Sequence, residues 1–241
     1  MWYNENMSVF TPLSILVLAM LIIVSMKLIP GIFALFYHYA SGKYSARKVG
    51  NLSLSFILGV ETLPALILII SSFILHAFSS TSLDITSDIV LWTISGLLIA
   101  LGIAFFCFYF RRDKGTKLFI SRKTASNFRK KATLVETNSD AFILGLISGI
   151  PELLFTFPLY LITLIEITKS FILPVPCSMI LILFILAIIS PLFFLYVYFR
   201  AGNNLADFLR LREKNKTFFR FFVASLYFLL ALIIILLKVI F

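Results

Sequence analysis

Six long apolar runs alternate with five polar connections, and the charge of those connections alternates as well. Of the 21 Lys and Arg residues, 18 fall in three segments. Segment 41–50 carries Lys43, Arg47 and Lys48, segment 111–140 carries nine cations, and segment 200–220 carries six. The intervening connections are poor in positive charge: 79–88 holds Asp84 and Asp88 and no cation, and 166–177 holds Glu166 and Lys169. Cytoplasmic loops of membrane proteins accumulate Lys and Arg, so one pattern predicts both span count and orientation. The expectation is an all-α integral membrane protein with six transmembrane helices and both termini outside the cytoplasm.

The runs cover approximately 12–39, 51–78, 89–110, 141–165, 178–200 and 218–240. Each is close to or above the ~20 residues a helix needs to cross about 30 Å of hydrocarbon. They are apolar on all sides, without the strict alternation of a membrane β-barrel. A chain that is 61% hydrophobic and 13% charged has too little polar surface for a soluble globule of this length. Its net charge of +10 does not indicate nucleic acid. The cations lie between the spans, where each contributes about 1 kcal/mol toward anionic lipid headgroups. Met1 to Pro12 has Glu5 and no cation, the wrong charge for a signal peptide, so the first run reads as a retained span. Cys107 and Cys177 fall at opposite faces in this topology, which argues against a disulfide between them.

The basic segment 111–140 divides the chain into 1–110 and 141–241, each with three spans. It mixes cations with Phe119, Ile120 and Phe128; a solvated loop or a short amphipathic helix on the inner leaflet both fit. The two halves echo one another. Residues 29–39 align without gaps to 150–160, with four identities that include Pro30 and Pro151. Spans two and five also carry an internal proline, Pro64 and Pro191, whereas spans three and six carry none. Three spans is an odd number, so a duplicated half enters the membrane from the opposite side. The expected architecture is therefore two inverted three-helix repeats. Proline removes a backbone donor and kinks or breaks a helix. Interruptions at matching places in two inverted halves point to a substrate site near the bilayer midplane.

Ionisable residues fall at the same places. Lys27 precedes Pro30, Glu61 precedes Pro64, and Glu152 follows Pro151. Each costs at least ~2.5 kcal/mol to insert, so each needs a partner or a wet cavity. Two readings stay open: ion pairing that only holds spans one, two and four together, or carboxylates that exchange protons or neutralise a cationic substrate. The candidate pathway is Lys27, Pro30, Gly31, Glu61, Pro64, Gly149, Pro151, Glu152, Pro158 and Pro191. His38 and His76 lie near span ends, no His or Cys cluster suggests a metal, and no cofactor is expected. With 27 Phe and 10 Gly, helix contacts are expected to rely on large side chains, Gly96 to Gly102 being the clearest small-residue spacing.

The pattern resembles the lysine exporter (LysE) superfamily of membrane transporters and its broader GAP-like and CcdA-like relatives. The resemblance rests on Pro30-Gly31, the basic turn Gly42 to Gly50, and the Gly96 to Gly102 stretch. Beyond the basic loop it continues in Phe142-Ile143-Leu144-Gly145 and Gly149-Ile150-Pro151. Together these cover most of residues 30–160. Ile32 stands where the exporters usually carry a second proline, and Glu152 stands where they tend to carry lysine. The CcdA-like branch relays reducing equivalents through a thiol pair beside these prolines; here Ile29 and Ile150 occupy those places, which removes the redox chemistry but not the architecture.

The resemblance implies a secondary exporter of an amino acid or other small solute, working by alternating access and not as an enzyme. A membrane scaffold or lipid-export accessory factor is the competing expectation. Expected partners are membrane lipids at the 111–131 loop and an unspecified small molecule, without nucleic acid. A homo-oligomer is compatible with this reading. The expected location is the plasma (inner) membrane of a bacterium or archaeon.

Overall fold

A computed structural model describes residues 2–28, 32–79, 88–108, 128, 130–169 and 177–240. Among the described residues the main helices are α1 (Trp2–Leu28), α2 (Ile32–Ser41), α3 (Ala46–Ser79), α4 (Asp88–Phe108), α5 (Asn138–Lys169), α6 (Cys177–Arg200), α7 (Leu205–Lys214) and α8 (Lys216–Ile240). Six spans are long and apolar enough to cross a membrane: Leu13–Ser41, Ala46–Phe73, Ile89–Cys107, Asn138–Ile167, Met179–Arg200 and Thr217–Leu237. The first comprises α1 from Leu13 onward and α2. The described chain is helical and has no strands, as expected where lipid offers backbone groups no hydrogen-bond partner. Large apolar side chains such as Leu58, Phe73, Leu154 and Phe194 point outward and are exposed, the surface a bilayer covers.

Two of the basic connections carry more structure than their charge suggests. Residues 130–134 are helical, and Phe128, Ala132 and Val135 are buried against the bundle. Tyr44, in the basic turn after α2, donates a hydrogen bond to the Val135 carbonyl at 2.9 Å. The 200–220 segment contains α7, whose Leu205 and Phe208 pack on the same core. Apolar residues spaced by three and four let these cationic segments fold against the protein while their charges face water.

The start of α5 is fixed by a capping box. Thr137 Oγ1 accepts from the Asp140 amide at 3.2 Å, and Asp140 Oδ2 accepts from the Thr137 amide at 3.1 Å. From there α5 packs tightly on α3, and the contact is made by glycines. A Cβ at Gly59 would collide with the Phe142 carbonyl, and one at Gly145 with the Phe56 carbonyl. One at Gly149 would stand 3.0 Å from the Val60 carbonyl. This is small-residue packing through Gly145-x-x-x-Gly149, with Cα hydrogens facing carbonyls. It corrects the expectation of contacts built on large side chains. Gly96 meets open space, and Gly102 meets only the Phe228 ring.

Span one packs on spans two, four, five and six, and span four packs on spans one, two, three and five. Spans two and five touch each other, as do spans three and six. Exchanging one–three for four–six leaves this set of main contacts unchanged. The sequence-adjacent pairs two–three and five–six are missing from it in both halves, among the described residues.

The interior forms two apolar cores. One gathers Ile22 and Met26 of α1, Leu68 of α3, Phe105 of α4, Leu159 and Tyr160 of α5, Ile188 of α6 and Tyr227 of α8. The other gathers Phe33 and Phe36 of α2, Phe56 and Val60 of α3, Leu144 of α5, and Leu192 and Phe199 of α6. Spans one, two, four and five pass from one core to the other. The seam is crossed between Met26 and Phe33, Val60 and Leu68, Leu144 and Leu159, and Ile188 and Leu192.

Candidate functional site: an ionic cluster at the seam

Three ionisable side chains meet at that seam. Lys27 Nζ lies 2.6 Å from Glu61 Oε1 and 2.7 Å from Oε2, and 3.3 Å from Glu152 Oε1. Each stands at the middle of its span: Lys27 is the fifteenth residue of 29, Glu61 the sixteenth of 28, and Glu152 the fifteenth of 30. Lys27 occupies the last turn of α1, where the helix's own carbonyls favour a cation.

The three groups are not equivalent. The Lys27 side chain is fully enclosed, that of Glu61 is 5% exposed and that of Glu152 is 14% exposed. Lys27 donates hydrogen bonds to both oxygens of Glu61. Glu152 feels the ammonium charge across 3.3 Å, yet its buried Oε1 has no hydrogen-bond partner. With all three ionised, the cluster carries one negative charge in excess.

The described prolines of the expected pathway line the same seam. Pro64, Pro151 and Pro191 lie inside α3, α5 and α6 between residues of the two cores. Each deprives the carbonyl four residues earlier of its helical donor. For Pro191 that carbonyl is Ala187, and the Ser190 hydroxyl donates to it at 2.8 Å. For Pro64 it is Val60, whose oxygen faces Gly149 of α5. Pro158 is buried two turns beyond Pro151, on nearly the same face of α5. Pro30 and Gly31 lie outside the described residues. Gly149 serves the α3–α5 contact, one turn from Glu152.

Two partners of the cluster escaped the sequence reading. Glu152, Thr156 and Tyr160 recur every four residues and so share one face of α5. Thr156 is fully buried and donates to the Glu152 carbonyl at 3.1 Å. Tyr160 is fully buried, stands within electrostatic reach of Lys27, Glu61 and Glu152, and has the Thr156 side chain beside its hydroxyl, which forms no well-aligned hydrogen bond. Tyr227 of α8 closes the far side. Its hydroxyl lies 3.1 Å from the Phe155 carbonyl and 3.4 Å from the Met26 sulfur. The signal was present as a four-residue polar spacing in an otherwise apolar helix.

No protein-family model, curated protein or solved structure matches the chain. The arrangement of residues alone therefore carries the functional reading.

Proposed function

We propose that the chain is a secondary transporter, an exporter of an amino acid or another small solute, and that the Lys27–Glu61–Glu152 cluster is its substrate and coupling site. The observation that carries this is the convergence of three mid-span ionisable groups with one carboxylate left over. Each charged group costs about 2.5–3.5 kcal/mol at the centre of a span. A cluster serving only to hold helices together is neutral with two members. The third member adds an uncompensated charge where charge is most costly, and places it on the residue most open to solvent.

Further observations support the same reading. The set of touching spans is unchanged when the halves are exchanged, as two inverted repeats require. Prolines and a polar layer coincide at the junction of two apolar cores, so spans one, two, four and five, which cross it, can bend at the seam while each core stays packed. The sequence resemblance to the LysE superfamily implies such an architecture, and the acidic Glu152 favours a cationic group in the pathway. The basic segments support an orientation with both termini outside the cytoplasm, and the reading extends to the inner membrane of a bacterium or archaeon.

A second reading has its own observation. The Lys27–Glu61 pair is closed, with both groups buried and hydrogen-bonded to each other. A membrane scaffold or lipid-export accessory factor needs nothing more. Site-directed labelling separates the two. Thr156→Cys, with Cys107 and Cys177 replaced by Ser, is exposed to a membrane-impermeant thiol reagent from each face of sealed vesicles. Alternating access predicts labelling from one face that shifts to the other when the pH gradient is reversed. A scaffold leaves the cysteine unreactive from both faces in every condition, which would overturn the transport reading.

A further inference from the structure

We infer that Glu152 and the Tyr160 hydroxyl form a site for a single positive charge, filled either by a proton on the Glu152 carboxylate or by a primary ammonium group. The inference rests on the transport reading and specifies its substrate class.

Charge balance is the first argument. Lys27 supplies one positive charge, and Glu61 and Glu152 supply two negative charges. One further positive charge makes the cluster neutral, and a second leaves an excess cation at mid-span. A proton and an ammonium therefore exclude each other: as the ammonium arrives, the carboxyl proton of Glu152 leaves to water on the open face.

The groups around Glu152 agree. Lys27 comes from α1, Glu61 from α3, Tyr160 from α5 itself and Tyr227 from α8. The packed helices α4 and α6 carry their charged residues, Asp88 and Arg200, at their ends. Lys27 is hydrogen-bonded to Glu61, and Tyr227 has acceptors in Phe155 and Met26. Glu152 Oε1, 3.3 Å from Lys27 Nζ, and the Tyr160 hydroxyl, beside the Thr156 side chain, are buried polar atoms that form no well-aligned hydrogen bond and keep acceptor capacity to spare. Both can accept, and an ammonium donates along several N–H directions. A metal ion needs a fuller shell of ligands. Among the described residues no three His, Cys, Asp or Glu side chains converge to provide one.

The test is a protonation measurement that requires no transport. The full chain in lipid nanodiscs is titrated by infrared difference spectroscopy, following the carboxyl band of protonated Glu152. Glu152→Gln identifies the band by removing it, and Glu152→Asp, which keeps the charge, identifies it by moving it. Methylammonium chloride is the probe, against tetramethylammonium and sodium chlorides at equal ionic strength. The expected result is a band whose titration midpoint falls by about one pH unit per tenfold rise in methylammonium once the site is saturated. The two control cations leave it in place. Tyr160→Phe keeps the band and weakens the methylammonium effect about tenfold. A midpoint unmoved by methylammonium, or moved equally by sodium or tetramethylammonium, overturns the inference. Labelling of Thr156→Cys is read independently, so either result can fail without the other.

Discussion

Lys27 Nζ and Glu152 Oε1 stand 3.3 Å apart across the boundary between the chain's two three-span halves, one from α1 and the other from α5. The shorter contact, Lys27 to Glu61 at 2.6 Å, stays within the first half. Under the proposed alternating access, a relative movement of the halves would break the first link and spare the second, making Glu61 the anchor and Glu152 the exchanger.

That division predicts unequal stability effects. Removing one partner of a buried, hydrogen-bonded pair leaves an uncompensated charge and costs about 3–5 kcal/mol. Lys27→Met and Glu61→Gln are expected to lower the thermal transition of the detergent-solubilised protein sharply. The double variant Lys27→Met/Glu61→Gln recovers a large part of the loss. Glu152→Gln, which removes a carboxylate without breaking a hydrogen bond to Lys27, stays within about 1 kcal/mol of wild type. Additive losses in the double variant would contradict the closed pair.

The α3–α5 contact makes a sharper structural prediction. Gly145→Leu places a large side chain where the Phe56 carbonyl already excludes a Cβ, and overpacking of this kind costs about 1–3 kcal/mol or more. Gly96→Ala enters open space and is expected to change stability by no more than about 0.5 kcal/mol. Thermal denaturation followed by size-exclusion chromatography compares the two.

Charge and hydropathy made the six spans and their boundaries legible, because lipid imposes length and apolarity on each segment separately. The meeting of Lys27, Glu61 and Glu152 was legible too, since three buried charges beside prolines need one another. Gly59, Gly145 and Gly149 were not read as a contact. α3 contributes one glycine and α5 two, and close approach is a property of the pair that neither helix displays alone. Tyr160 was hidden for a different reason: a tyrosine in a Phe-rich span looks like packing until it is found within electrostatic reach of two carboxylates. The 111–140 segment was read from its charge. The burial of Phe128, Ala132 and Val135 depends on a surface presented by α2, α3 and α6.

The α5 capping box gives a local prediction. Thr137→Ala removes the hydroxyl that accepts from the Asp140 amide and is expected to cost about 1 kcal/mol. Thr137→Ser keeps that oxygen and preserves most of the stability. Urea or thermal unfolding in mild detergent distinguishes them, and equal losses in both would remove the cap as the cause.

The orientation inferred from the basic segments is checked by single cysteines in a background without Cys107 and Cys177. Ser45→Cys and Asn203→Cys, both in turns between helices, are expected to react with an impermeant reagent only when the cytoplasmic face is open. Labelling of either from the outer face of intact cells would reverse the topology.

Glu152 is proposed to exchange charge during transport while Lys27–Glu61 holds the fold. This exchange is tested most directly by substrate-dependent proton flux in proteoliposomes, with wild type and Glu152→Gln compared at equal amounts of folded protein against a panel of basic and neutral amino acids. Flux is expected with at least one compound bearing a primary ammonium, and is expected to be lost in Glu152→Gln although its thermal transition is unchanged. Full flux from folded Glu152→Gln would contradict it.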